Sequence, residues 1–169
     1  MPNLTQPLRD EHQELLPYVE EIRQAADAVY ESLTTNAHAK IEDTYRFLIH
    51  HLLPHAQAEE AALYPMVQKA MECEQATATM LHDHQEIARL TEELETLRVH
   101  KSLLSITSLQ AMAFRRVLYG LYALIKVHFA KEEEIYLPLL DAKLTAEEAQ
   151  AMFQKMEVAA KAAKQNIPH

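Results

Sequence analysis

Glycine is almost missing from this chain: there is one, where ordinary usage of about 7% would supply roughly twelve. Tight hairpins, β-bulges and phosphate-cradling loops lean on glycine, so β-rich and glycine-loop folds are not expected. The lone cysteine, Cys73, allows neither an intrachain disulfide nor a cysteine-rich metal site. Tryptophan is absent. No window approaches the roughly 18 uninterrupted apolar residues of a membrane helix, and the opening residues carry no apolar signal core. Basic residues are also short, 16 against 25 acidic, giving a net charge of −9 spread along the chain. Nucleic acid and anionic membrane surfaces both call for basic patches, so neither is an expected partner. A cytoplasmic protein is expected.

What remains is helical material. Apolar residues make up 49% of the 169, and Glu, Gln, Lys and Ala among the rest are good helix formers. Spacing at helical period predicts a first helix over about Leu8 to Leu33, with Thr5 as its N-cap, and a second over about Ala37 to Glu72. A third runs from about Thr77 to Val99 and a fourth from about Leu103 to Leu140. Pro54 and Pro65 are expected to bend the second helix, since each removes a backbone donor. On the fourth, Phe114, Val117, Leu121, Leu124, Ile125, His128, Glu132 and Ile135 share a stripe, and Gly120 is read as a close helix contact. The reading is an all-α, up-down-up-down four-helix bundle over residues 1–142. Residues 143–169 form an accessory helix and tail, opened by the capping-box pattern Thr145-Ala-Glu-Glu148. That helix packs on the bundle or on a second subunit; monomer and homodimer both stay open.

The chain has ten histidines, and their placement is duplicated. His12-Gln-Glu-Leu15 matches His84-Gln-Glu-Ile87, 72 residues on. His55-Ala-Gln-Ala-Glu59-Glu60, followed by Leu63-Tyr64-Pro65, matches His128-Phe-Ala-Lys-Glu132-Glu133, followed by Tyr136-Leu137-Pro138, 73 residues on. The unit is a helix with one histidine, then a helix with His-x-x-x-Glu. Used twice, it suggests a pseudo-two-fold core with matching groups converging from opposite sides.

Residues four apart share a helix face, so His55 with Glu59, and His128 with Glu132, can reach one object. The spacing alone is weak, because His38/Glu42 and His82/Glu86 repeat it. The 55/59 and 128/132 pairs differ by interrupting apolar stripes, where a bare carboxylate is expensive. Two inward carboxylates among inward histidines most economically mean metal. Six candidates, His12, His55, Glu59, His84, His128 and Glu132, exceed the four ligands of a structural zinc site. Two metals could take two imidazoles each, with Glu59 and Glu132 bridging. Imidazole with carboxylate suits iron, with manganese or zinc as alternatives. His12 could equally be a core histidine bonded to a carbonyl. His84 is preferred over His82 by repeat alignment and facing. His51 is a rim residue or a partner behind the ligands, or else a spare ligand. Glu60, Glu133 and Glu134 lie off the stripe, solvated or supporting. Tyr45, Tyr119 and Tyr122 are read as aromatic core, and His38, His50, His100 and His169 as surface.

In order and interval, these residues resemble the hemerythrin-like family, or HHE cation-binding domain, over about residues 5 to 140. The resemblance implies a bundle around a non-haem di-iron centre bridged by two carboxylates and an oxo or hydroxo group. It also implies a choice among dioxygen binding, redox sensing, nitric-oxide handling, iron-centre repair and peroxide decomposition. The chain departs from the oxygen carriers of that family, which have a His-x-x-x-His pair on the third helix. Here Ala88 stands four after His84. Their last carboxylate is an Asp five residues after its histidine; here Glu132 stands at four and Glu133 at five. The missing imidazole leaves room for a small exogenous ligand: dioxygen, peroxide or nitric oxide. A sensor without turnover and a mononuclear zinc or purely structural helical protein are the competing readings. Ferritin-like iron chemistry is set aside, since Glu-x-x-His does not occur in the chain.

Overall fold

The computed structural model describes residues 3–29, 35–99 and 106–166. Among these residues every regular element is helical. Helix α1 is Gln6–Ala28. Helix α2 occupies residues 35–71, with α-helical Thr35–Phe47, Leu53–Ala58 and Tyr64–Met71 separated by wider π-helical turns at Leu48–Leu52 and Glu59–Leu63. Helix α3 is Ala78–Val99, entered through a 3-10 turn at Glu74–Thr77. Helix α4 occupies residues 108–143: α-helical Ser108–Lys131, a π turn at Glu132–Tyr136, and Leu137–Lys143. Helix α5 is Ala146–Gln165. The first helix ends before the expected Leu33, and both that residue and the expected start of α4 at Leu103 lie outside the described residues. No helix among the described residues is long and apolar enough to cross a membrane.

Local chemistry explains the ends. Thr107 and Thr145 each close a capping box, with Gln110 and Glu148. Glu72 ends α2 in the left-handed region at φ 52. Thr5 does not cap α1 with its side chain; its hydroxyl and N–H both donate to Asp141, tying the start of α1 to the end of α4.

The prolines do not break α2 or α4. Each π turn ends two residues before a proline: Pro54, Pro65 and Pro138. A helical proline clashes with the carbonyl four residues back and offers it no N–H. Widening the preceding turn by one residue moves that carbonyl aside, so the chain runs on through i→i−5 bonds, as from Tyr64 N–H to Glu59 and from Leu137 N–H to Glu132. Pro17 stands in α1 without such a turn, so proline permits the wide turn rather than compelling it.

The extra residue resets the helical phase. Ile135, expected on the buried stripe, is 54% exposed, while Tyr136 and Leu137 face inward. In α2, Val67 is fully buried and Met66 only partly so.

Around the bundle α1 packs on α2 and α4, and α3 packs on the same two. The interior falls into two apolar clusters. One holds Val19, Ile22, Leu48, Leu94, Phe114 and Leu121; the other holds Leu8, Leu63, Met80, Leu137 and Leu140. Fully burying one such side chain stabilises by about 1.5–3 kcal/mol. Along each bundle helix the inward histidines fall between the residues of these two clusters. Helix α5 closes the second cluster with Met152 and Met156, lying across the 53–63 segment of α2.

Candidate metal centre

His12, His55, Glu59, His84, His128 and Glu132 are all buried, and both glutamates are wholly inaccessible. Helices α1 and α3 supply one histidine each; α2 and α4 supply a His-x-x-x-Glu pair from an α-helical turn leading into a π turn. Glu59 is the hinge of the arrangement. Its Oε1 lies 2.9 Å from His55 Nε2 and 3.6 Å from His12 Nε2. Its Oε2 lies 3.3 Å from His84 Nε2 and 3.9 Å from His128 Nε2. Glu132 repeats the division, with Oε2 3.4 Å from His12 Nε2 and Oε1 3.5 Å from His128 Nε2. Two ligand groups result, His12/His55/Glu59 and Glu59/His84/His128, each with its donor atoms within 4.8 Å of one another.

Several of these buried atoms have no hydrogen-bond partner: both oxygens of Glu59, Oε2 of Glu132, and Nε2 of His12 and of His55. Buried polar atoms are ordinarily satisfied, so a cluster of orphans converging on one space has the chemistry of a cation site. Burial and the charge of Glu59 hold the Glu132 carboxyl above the usual range. Burial opposes ionisation of Glu59 too, yet His55, His12 and His128 outweigh it and keep its pKa well below the usual value. For the imidazoles, burial disfavours the charged form, but neighbouring carboxylates overcome it: Glu59 and Glu132 at His12 and His128, Glu59 and Glu11 at His55. His12 rises to about 9, and His55 and His128 rise as well. Without a metal, protons supply the positive charge that the carboxylates demand.

Each of the four histidines also turns its outer nitrogen to a carboxylate. His12 Nδ1 is 2.8 Å from Glu133, His84 Nδ1 is 2.8 Å from Glu60, and His128 Nδ1 is 3.1 Å from Asp83. Glu11 lies 3.0 Å from His55 Nδ1, but without hydrogen-bond alignment. Lys131 holds Asp83, and Arg9 stands 3.5 Å from Glu133. Such carboxylates fix the ring and its tautomer and leave Nε2 free to bind metal. The duplication extends to them. Glu11 and Asp83 precede the single histidines and serve the partner in their own half. Glu60 and Glu133 follow Glu59 and Glu132 and serve the histidine of the other half.

One more polar group enters the cluster. The Tyr64 hydroxyl lies 3.1 Å from His84 Nε2 and 3.4 Å from His128 Nε2, and it donates to Glu132 Oε1 at 3.1 Å. Burial and the two glutamates push its pKa up.

A family model for the hemerythrin HHE cation-binding domain matches residues 3–140. The chain belongs to that family. Comparison with curated proteins and with solved structures gives no match. The hemerythrin match ends where α5 has yet to begin, so α5 is an addition to the HHE domain in this chain.

Within this HHE domain the structure brings together all six residues expected from sequence. His82 and His51 are exposed; His51 stacks beside Tyr18 and Phe47 instead of reaching the centre. Tyr45 packs under Arg98, away from the site. Gly120 is not demanded by crowding, since an added Cβ would meet Leu90 Cδ1 at an ordinary 3.6 Å. His100 and His169 fall outside the described residues. The residues missed were Glu11, Asp83 and Tyr64. The first two had a signal, because both copies of the repeat read acidic-His-Gln-Glu. Tyr64 was visible only as the residue before Pro65.

Proposed function

We propose that this HHE domain holds two iron ions, with Glu59 and Glu132 bridging and His12, His55, His84 and His128 as terminal ligands, and that it engages a small oxidant such as dioxygen, peroxide or nitric oxide. The observation that carries this reading is the division of Glu59, whose two unpartnered oxygens face opposite histidine pairs. A mononuclear zinc site would use one such group and leave the other pair of imidazoles and a buried carboxylate uncompensated. Manganese or zinc would suit the donor set, but the imidazole-carboxylate mixture with room for a further ligand favours iron.

Iron bound there would supply Lewis acidity and electron transfer toward the oxidant. The chain's own part is positional. The outer carboxylates orient the imidazoles, the two apolar clusters exclude bulk water, and Tyr64 places an O–H at the edge of the His84/His128 group. Two anionic glutamates in a dry interior make the site attractive to divalent or trivalent cations and costly without them.

Metal analysis of iron-loaded protein tests the proposal, with about two irons per chain expected from two three-residue ligand groups. His55→Ala and His128→Ala should each lower that content. Unchanged iron in these variants overturns it. Optical spectra before and after air, peroxide and nitric oxide then separate turnover from reversible binding.

A further inference from the structure

The two halves of the centre are duplicated in their ligands but not in what surrounds them. Counting from each motif histidine, Tyr64 occupies the place that Leu137 holds in the other half, both directly preceding a proline. The residue after His128 is Phe129, whereas the residue after His55 is Ala56. Phe129 lies flat on His12, with centroids 4.3 Å apart and planes 12° apart. Among the described residues, the His12/His55 side is therefore faced by an aromatic ring and by no hydroxyl. The His84/His128 side receives the Tyr64 O–H, in contact with both of its imidazoles and with the near oxygen of Glu132.

Resting on the proposed centre, we infer that its two positions are functionally unequal, and that the Tyr64 hydroxyl makes the His84/His128 position the one that holds a small anionic or oxidant ligand. A ligand entering a dry site loses its hydration and regains it only where a donor is already placed. Tyr64 is that donor on one side, and among the described residues no hydroxyl takes its place on the other. The ring is fixed in position: Tyr64 is 1% exposed, stacks on His84 at 5.4 Å and meets Tyr136 edge-on at 6.5 Å. Its hydroxyl carries one proton. With no ligand that proton rests on Glu132, and rotation about the C–O bond turns it to an incoming acceptor. Tyr64 is thus a ligand-selecting residue, not a member of the six-residue metal set.

The test uses the full chain loaded with isotopically enriched iron, azide as probe, and Tyr64→Phe, which removes one oxygen and keeps the buried ring. Iron content and thermal unfolding should match wild type, while azide binds roughly ten-fold more weakly, the loss of one hydrogen bond to a charged acceptor. In Mössbauer spectra of wild type, azide should alter one of the two iron subspectra and leave the other. Equal azide affinity in Tyr64→Phe overturns the inference. So does an equal effect of azide on both irons, a measurement that decides even if the variant folds poorly. A phenolate-to-iron absorption band that vanishes in Tyr64→Phe would also overturn it, by making Tyr64 a ligand itself. Fewer than about two irons in wild type would instead remove the centre, and the asymmetry with it.

Discussion

The four outer carboxylates do the same job in unequal surroundings, and that inequality fixes how much each should matter. Asp83 is 14% exposed, Glu133 32%, Glu60 41% and Glu11 47%. Truncating one of them to alanine leaves an imidazole N–H facing the gap. Where water can enter, it replaces the lost acceptor at little cost. Where it cannot, the unpaired buried donor costs about 1–3 kcal/mol. Asp83→Ala belongs to the second case: His128 is 2% exposed, and among the described residues Asp83 is the acceptor at its Nδ1. Metal affinity should fall by up to roughly 100-fold, the upper end for removal of such a partner. Glu11→Ala belongs to the first case, since Glu11 stands half in solvent and its contact with His55 is not hydrogen-bond aligned. A loss of less than about three-fold is expected there. Asp83→Asn keeps an acceptor oxygen while removing the charge, so it should fall between, at about ten-fold. Chelator competition at fixed pH and salt measures the affinities, and thermal unfolding of the metal-free variants shows that the fold is intact. If Glu11→Ala weakens metal binding as much as Asp83→Ala, water access does not set the size of the effect and the reasoning fails.

Protons and metal should compete for the centre in a defined window. His12 is raised to about 9 in the metal-free chain, and His55 and His128 are raised too. The stability these groups contribute is complete below their unfolded value of about 6.5 and is lost as pH climbs through the folded values. The depressed Glu59 works in the other sense, contributing above its unfolded value and losing that contribution as pH falls through its folded one. Metal-free melting temperature should therefore decline from about pH 6.5 to 9, while the increment added by metal grows over the same range; a flat increment would contradict the assigned shifts. Ile135→Lys should stay within about 0.5 kcal/mol of wild type, whereas Leu137→Ala should cost about 2–5 kcal/mol; chemical denaturation distinguishes them, and the reverse order would restore an unbroken α-helical register in α4. Gly120→Ala should stabilise by about 0.5–1 kcal/mol, because helix propensity favours alanine and Leu90 leaves room for the methyl group; a drop in melting temperature would mean the space is tighter than 3.6 Å indicates.

The helices and their order were legible because glycine scarcity and helical spacing act through elementary geometry, and tertiary packing had no reason to override them. The centre was legible for a related reason. A glutamate on an apolar stripe is costly enough that its presence has to be explained, and the repeat showed which histidines belonged with it. Glu11 and Asp83 escaped because, in sequence, a carboxylate beside a histidine looks like any solvated face; only the fold shows that their oxygens turn back to His55 and His128. Tyr64 escaped because its hydroxyl is one polar atom on a large apolar ring, which spacing cannot tell from core.

The π turn in α4 explains why the same periodic reading places His128 and Glu132 inward and fails just beyond them at Ile135. Periodicity assumes a constant rotation per residue, and one widened turn breaks that assumption for everything downstream. In α4 the break begins at Glu132, while in α2 a wide turn at Leu48–Leu52 already precedes His55 and a second begins at Glu59. The four-residue step from His55 to Glu59, and from His128 to Glu132, is taken on ordinary α-helix and keeps its face. The steps beyond cross the wide turn, so Ile135 yields the interior to Tyr136. The same turn lets Pro65 and Pro138 follow without breaking the helix, and in α2 it brings Tyr64 inward beside His84. A straight α-helix through residue 64 would keep the two histidines and two glutamates in place but carry the phenol elsewhere. The wide turn is common to both halves, so what separates them is the side chain it carries inward, Tyr64 in one and Leu137 in the other.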